Sequence, residues 1–196
     1  MTVRYLKKTG VDMSSFVNLV KSEVNLDSYS SSANFCGFCF SKIGWGKKKC
    51  LEALLDIASE IVGELHVVSS LTICTSLLEN ENFYALSEES KKRRNYLVDL
   101  DFIKLNDSDA SANYFHSDKV VSKNEAYSLI EYQTSIGGAI GHVFFVSLTN
   151  GVIIYPHDDC GMGFFCSSEP KKRDDFLSLV KRSKEKYSDI LSFDLK

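Results

Sequence analysis

Apolar side chains recur at helical spacing in four stretches of the chain, and each stretch predicts an amphipathic helix. The clearest stretch ends at Gly63, a residue type that commonly terminates helices. Another begins at Ser122 and has the Ser-x-x-Glu form of a capping box, which satisfies backbone N–H groups at a helix N-terminus. Asp12 is a candidate N-cap for the first helix. The four helices are expected over about residues 13–24, 47–63, 123–133 and 172–191.

Two apolar runs rich in β-branched and aromatic residues flank Asn150 and Gly151. The Asn-Gly dipeptide is typical of a two-residue type I′ turn, so residues 142–155 are expected to form a hairpin. Because both runs are continuously apolar, we place this hairpin at the centre of a sheet covered on both faces. Further strands are expected over residues 35–43, 71–78, 96–105 and 163–166. The sequence therefore predicts a single α+β domain over residues 1–196, in which amphipathic helices pack on an antiparallel sheet.

The composition indicates an ordinary globular protein with a slightly acidic charge. The 196 residues include 23 Lys and Arg against 26 Asp and Glu, which gives a net charge of −3. This balance argues against direct nucleic-acid binding, since proteins with that function carry a strongly basic face. The N-terminal residues lack the apolar segment of a signal peptide, and the longest apolar runs are far below the roughly 20 residues that span a bilayer. A cytoplasmic protein without a membrane partner is expected.

Six cysteines raise the question of a metal site. Cys36 and Cys39 form a C-x-x-C, and Cys160 and Cys166 are six residues apart, so these four thiols could be combined into a tetrahedral zinc site. However, Cys36 and Cys39 fall in a predicted strand, where their side chains would point to alternate faces. Apolar packing of the cysteines is therefore favoured and no cofactor is expected, although the sequence leaves open whether the four residues bind metal.

The most polar feature beside the hairpin is the run His157-Asp158-Asp159-Cys160. These residues could form the centre of a hydrolase, either metal-dependent or with a Cys–His pair. They could also cap backbone N–H groups in a turn, or make a contact with another protein. A catalytic site would need further groups from other elements. The candidates for that role are Asp99, Asp101, Asp107, Asp109, His116 and Asp118.

The region from Val143 to Cys166 resembles an uncharacterised bacterial domain family. That family has a strand, an Asn-rich turn, an Ile-Ile strand and then a Tyr-Asp-Asp-Arg-Gly-x-Asp signature. Asp158, Asp159 and Gly161 fall on the Asp-Asp-x-Gly positions of the signature. The chain departs from it at three positions, where His157 replaces the Tyr, Cys160 the Arg and Gly163 the final Asp. Any pairing between that Arg and a carboxylate therefore cannot form here.

Small single-domain proteins of such families often look like immunity proteins, the inhibitors of polymorphic toxins that include those of contact-dependent growth inhibition. The resemblance implies a protein that binds a cognate toxin domain, for example a nuclease, and blocks its active site or an exosite. Acidic and aromatic side chains suit this role, because a toxin that binds nucleic acid has a cationic cleft. We expect no catalytic residues in such an inhibitor. The residues expected to contact the toxin are Asp99, Asp101, Asp107, Asp109, His157, Asp158 and Asp159.

Overall fold

The computed structural model describes residues 13–44, 46–75, 87–106, 115–136, 139–157 and 161–196. Five α-helices lie within these ranges. They are α1 (Met13–Glu23), α2 (Lys48–Val62), α3 (Glu88–Asp99), α4 (Lys123–Glu131) and α5 (Pro170–Lys186). The predicted capping box is present at the start of α4, and a π-helical turn over Tyr132–Ile136 continues that helix. The helices predicted over residues 13–24, 47–63 and 123–133 are confirmed.

Nine strands lie in the described residues. They are β1 (Phe35–Ser41), β2 (His66–Ser69), β3 (Leu71–Cys74), β4 (Ile103–Asn106), β5 (Ser117–Val120), β6 (Val143–Ser147), β7 (Val152–His157), β8 (Gly161–Cys166) and β9 (Leu191–Leu195). Seven of them form one sheet in the order β5-β2-β6-β7-β8-β1-β9, and every neighbouring pair in it is antiparallel. Strands β3 and β4 form a separate parallel pair. The predicted α+β class and the central position of the hairpin are confirmed.

The large sheet is buried on both faces, because successive side chains of a strand point to opposite sides. One face packs against α2, α3, α4 and α5 through Val143, Phe145, Val152, Ile154, Met162, Phe164 and Cys166. The opposite face packs against α1 and the segment that follows it through Phe144, Val146, Ile153, Tyr155 and Phe165. This two-sided burial explains why the hairpin strands are apolar without interruption.

The hairpin loop differs from the predicted two-residue type I′ turn. Ser147 pairs with Val152, so the loop contains four residues. Gly151 has a φ of 63°, whereas Asn150 does not take the positive φ that a type I′ turn requires. The side-chain amide of Asn150 instead donates to the carbonyl oxygen of Ile61 at 2.9 Å. Asn150, on which the prediction of a type I′ turn depended, therefore makes a tertiary contact with the end of α2 instead.

The strand predicted over residues 96–105 is wrong in its first half. Tyr96 to Asp99 form the last turn of α3, and β4 contains only Ile103–Asn106. Helix α3 is rich in charged residues, and its N-cap is Ser87, whose side chain accepts a hydrogen bond from the backbone N–H of Ser90. Leu97 is its one fully buried side chain. With one buried residue, α3 has almost no apolar repeat at helical spacing in its sequence. The alternation of apolar and polar residues after Tyr96 therefore predicted a strand.

The predicted final helix is too long, and three of the described strands, β2, β5 and β9, were not predicted. Helix α5 ends at Lys186, a turn follows, and Leu191 begins β9 instead of completing the helix. Strand β9 pairs with β1, some 150 positions earlier in the chain, and β2 pairs with β5 and β6. Such short strands are specified by their partners more than by their own sequence. Strand β3 ends at Cys74, and residues 76–78 of the predicted strand lie outside the described residues.

Candidate functional site

The chain turns from α3 into β4 through a Schellman motif, which fixes the backbone at this corner. The N–H of Asp101 donates to the carbonyl oxygen of Val98 at 2.8 Å, and that of Phe102 donates to Leu97 at 2.9 Å. Leu97 and Phe102 are both fully buried in the same core. The buried hydroxyl of Ser69 on β2 donates to the Phe102 carbonyl at 2.7 Å, which ties the corner to the large sheet.

Asp101 occupies the position of this motif that normally belongs to glycine. Its φ is 59°, the left-handed region, and no other non-glycine residue in the described ranges has a positive φ. An L-residue with a side chain is destabilised there, although Asp and Asn tolerate the conformation best. The Asp101 side chain is exposed. The corner therefore presents a carboxylate at a fixed place where a glycine would be at least as stable.

Two more exposed residues flank this carboxylate. Asp99 is the last residue of α3, and Tyr96 lies three positions before it, so the two side chains share one face of the helix. Asp99 is exposed, and 41% of Tyr96 is accessible to solvent. We call Tyr96, Asp99 and Asp101 the corner surface. It combines two of the acidic residues predicted to contact a toxin with an aromatic side chain that was not predicted.

Two cationic or ionisable groups lie beside Asp101. The amine of Lys119 donates to the carbonyl oxygen of Leu100 and lies 4.2 Å above the ring of Phe102. His116 contacts the carbonyl oxygen of Leu71 through Nε2 at 2.8 Å. Burial lowers the pKa of both groups, and the Asp101 carboxylate partly offsets this effect in each. Asp101 thus stabilises nearby positive charge while its own side chain remains exposed.

The corner surface does not include His157. That residue ends β7, and strands β6 and β2 lie between β7 and the edge strand β5. The ring of His157 lies over Gly161, its cross-strand partner, with Phe38 and Tyr155 at centroid distances of 6.1 and 6.0 Å. The structure therefore separates His157 from Asp99 and Asp101. The other predicted contact residues, Asp107, Asp109, Asp158 and Asp159, lie outside the described residues, as does Cys160.

Two further histidines have side-chain partners on the α1-covered face of the sheet. His66 bonds through Nε2 to Asp118, and its ring stacks on Phe16 with a centroid distance of 3.4 Å. A hydrogen bond joins Nδ1 of His142 to the hydroxyl of Tyr29. Sequence reasoning paired none of these residues, because each pair joins elements that are distant along the chain. Their contacts hold α1 and the segment after it on the sheet.

A β-bulge overturns the prediction that Cys36 and Cys39 point to opposite faces. The register of β1 against β8 shifts between Phe35 and Gly37, and Gly37 has a φ of 120°. Both thiols consequently lie in the core under the helices, where Cys166 also lies. Among the described residues, no group of three or more His, Cys, Asp or Glu side chains is arranged to hold a metal ion. Cys160, the fourth cysteine of the possible zinc site, lies outside the described residues.

Comparisons with known proteins found no family model, no curated protein and no solved structure that matches this chain. Within the described ranges, none of the helices combines the length and the apolar character needed to cross a bilayer.

Proposed function

We propose that this chain is an immunity protein of the bacterial cytosol, which binds and neutralises one cognate toxin domain and uses the corner surface as part of its interface. The observation that carries the proposal is Asp101, an exposed carboxylate held at a left-handed backbone position by two backbone hydrogen bonds. Residues that break a local stability rule are expected at functional sites. The resemblance of the hairpin region to the bacterial domain family supports the same role.

The chemistry of the corner surface suits a cationic partner. Asp99 and Asp101 supply exposed negative charge, and Tyr96 supplies an aromatic ring of the kind that often anchors protein interfaces. A toxin that acts on nucleic acid has a positively charged substrate cleft, so acidic groups on an inhibitor increase both its association rate and its specificity. A rigid corner also loses little conformational entropy when it binds.

The experiment uses the toxin domain encoded by the neighbouring gene. The two full-length proteins are co-expressed, and protection from growth arrest and complex formation by size exclusion are measured. Asp101→Asn and Asp101→Gly both remove the charge and keep a residue that tolerates a positive φ. Each should weaken binding about tenfold or more, which corresponds to roughly 1.4 kcal/mol.

The matched control is Asp174→Asn, an exposed acidic residue on α5, which packs on β8 and β9 away from the corner. This variant should bind as tightly as the original chain. If the original chain neither protects cells nor forms a complex, the immunity proposal is wrong. If both form normally with the two Asp101 variants, the toxin is bound elsewhere, and Asp158, Asp159, Asp107 and Asp109 are the next residues to replace.

A further inference from the structure

Strand β9 is the last strand of the large sheet, and among the described strands it pairs with β1 alone. The backbone N–H of Lys196 donates to the carbonyl oxygen of Cys36 at 2.9 Å, in the same register as the β1–β9 ladder. Hydrogen-bonded positions alternate along an antiparallel pair, so the even-numbered residues of β9 face β1. The N–H and C=O groups of Phe193 and Leu195 therefore point away from β1, toward an open edge.

The side chains of β9 alternate between the two faces of the sheet. Phe193 and Leu195 are half-buried and pack against the core under the helices. Asp194 lies on the opposite face, where it is exposed and forms no hydrogen bond or ion pair with any described residue. A strand added at this edge therefore meets apolar side chains on one face and an unpaired carboxylate on the other.

Two aromatic rings lie beside Asp194 on the same face. Phe38 is its cross-strand partner on β1, and Phe40 follows two positions later with a centroid distance of 5.9 Å between the rings. On the next strand, Gly163 lies opposite Phe38 and Gly161 lies opposite Phe40, so no β8 side chain covers the rings. The ring of Phe40 is 36% exposed. A carboxylate beside exposed aromatic rings suits a cationic side chain, because ring faces also attract cations.

The lysines of this region donate to backbone carbonyl oxygens instead of pairing with Asp194. The amine of Lys196 donates to the carbonyl oxygen of Ser30 at 3.0 Å. The amine of Lys42, which follows β1, donates to the carbonyl oxygen of Ser188 at 2.7 Å. The charge of Asp194 is therefore available to a cation that a partner supplies.

We propose that the open edge of β9 binds an extended segment of a partner protein, which adds as an antiparallel strand and places an arginine opposite Asp194. Main-chain hydrogen bonds to Phe193 and Leu195 supply affinity, and the alternating side chains supply specificity. Asp194 occupies a non-hydrogen-bonded position of the new pair, where opposing side chains lie closest. The guanidinium can bond to the carboxylate and stack on Phe38, a combination that arginine makes better than lysine. The segment that fits has arginine on one face and apolar residues on the other.

This edge lies at the other end of the sheet from the corner surface. Strands β9 and β5 are the two ends of the seven-stranded order, and the corner surface adjoins Lys119 of β5. A partner at β9 leaves Asp99 and Asp101 accessible, and its binding does not require the proposed immunity function.

The test uses capped heptapeptides in which valine alternates with threonine and the central residue is arginine, lysine or glutamate. Each peptide is titrated into the full-length chain, and binding is followed by the amide chemical shifts. The arginine peptide should shift the amides of Phe193, Asp194 and Leu195. It should bind about fivefold or more tightly than the glutamate peptide, with the lysine peptide between them.

Two variants test the side-chain contact and the backbone contact separately. Asp194→Arg should reverse the order, so that the glutamate peptide binds more tightly than the arginine peptide. Leu195→Pro removes an N–H that faces the open edge and keeps the bonds to β1, so it should abolish binding. Leu195→Ala, the control for the lost side chain, should weaken binding only about threefold or less. Asp189→Asn, at an exposed position before β9, should bind as the original chain does.

The proposal is overturned if no peptide binds, if the arginine and glutamate peptides bind equally, or if Asp194→Arg leaves their order unchanged. Shifts that map to the corner surface instead of β9 overturn it as well. Sedimentation of the chain without peptide covers the remaining occupant, because a dimer that Leu195→Pro dissociates would show that a second copy fills the edge. The exposed substitution Asp194→Arg gives the answer even if Leu195→Pro fails to fold.

Discussion

The ring of Tyr155 on β7 lies directly across Gly163, its cross-strand partner on β8. A Cβ atom on Gly163 would stand 2.1 Å from the Cε1 atom of Tyr155, far inside the closest approach of two carbon atoms. The aromatic ring thus fills the space that a β8 side chain would need. Position 163 therefore requires glycine as long as the Tyr155 ring keeps this place.

Replacing Gly163 with alanine should destabilise the fold by about 1–3 kcal/mol, because the new methyl group forces the Tyr155 ring out of its place in the core. Urea denaturation of the purified variant measures the loss. The control is the same substitution in a Tyr155→Ala background, where the steric conflict is absent and the added cost should largely disappear. An equal cost in both backgrounds would show that the ring is not the cause.

Replacing Asp101 with glycine should raise stability by up to about 1 kcal/mol, because glycine has no Cβ to strain the left-handed backbone. Asp101→Val should instead lower stability by about 1–2 kcal/mol, since a β-branched residue is least compatible with φ near 59°. Chemical denaturation of the two variants beside the original chain provides the comparison. Equal stability of the glycine and valine variants would contradict the proposed backbone strain.

Removing the carboxylate of Asp118 should release α1 from the sheet. His66 is 3% exposed and bonds to Asp118, while its ring stacks on Phe16 of α1. Asp118→Ala leaves the buried imidazole without this acceptor, which should cost about 1–3 kcal/mol. Amide hydrogen exchange should become faster across α1. Asp174→Ala, at an exposed position, should change stability by less than about 0.5 kcal/mol and leave α1 exchange unaltered.

Stability should fall as the pH drops below 6.5, the ordinary pKa of histidine. Burial lowers the pKa of His142 and of His116 in the folded chain. Below pH 6.5 the unfolded chain therefore binds protons that the folded chain does not, and stability decreases until the folded pKa is reached. Their contribution is fully present above pH 6.5. Urea denaturation at several pH values between 7.5 and 5 should show a shallower decline for His142→Asn, roughly in proportion to the lost titration.

Asp56 provides the control for this pH dependence. The hydroxyl of Tyr187 donates to its carboxylate at 2.6 Å and, with Lys186, lowers its pKa below the ordinary 3.8. Its contribution is present above pH 3.8 and is lost only below that value. Asp56→Asn should therefore leave the decline between pH 6.5 and about 5 unchanged. If Asp56→Asn removes the loss of stability between pH 6.5 and about 5 and His142→Asn does not, the histidines are not its cause.

Local signals predicted the elements whose specification lies within a few residues. Helix α4 begins with a capping box that the Ser122 and Glu125 spacing already indicates, and α2 ends where Gly63 allows a φ of 79°. The central hairpin followed from uninterrupted apolar runs. The exposed acidic residues Asp99 and Asp101 were also identified from the sequence as candidates for binding. The sequence did not indicate that Tyr96 lies at the same corner. Apolar and polar residues alternate after Tyr96, and this pattern predicted a strand where the structure has a helix.

The sequence by itself determined the α+β class, three of the helices and the burial of the hairpin, because the period of apolar residues decides which side of an element avoids water. Tertiary structure decided the rest. Strand β9 exists through its pairing with β1, and the bulge at Gly37 brings Cys36 to the same face as Cys39. The burial of Leu97 and Phe102 in one core favours the Schellman turn at the end of α3 over a continuous strand. Contacts between residues far apart in the chain carry no local signature, so only the folded arrangement shows that His66 meets Asp118 and that His142 meets Tyr29.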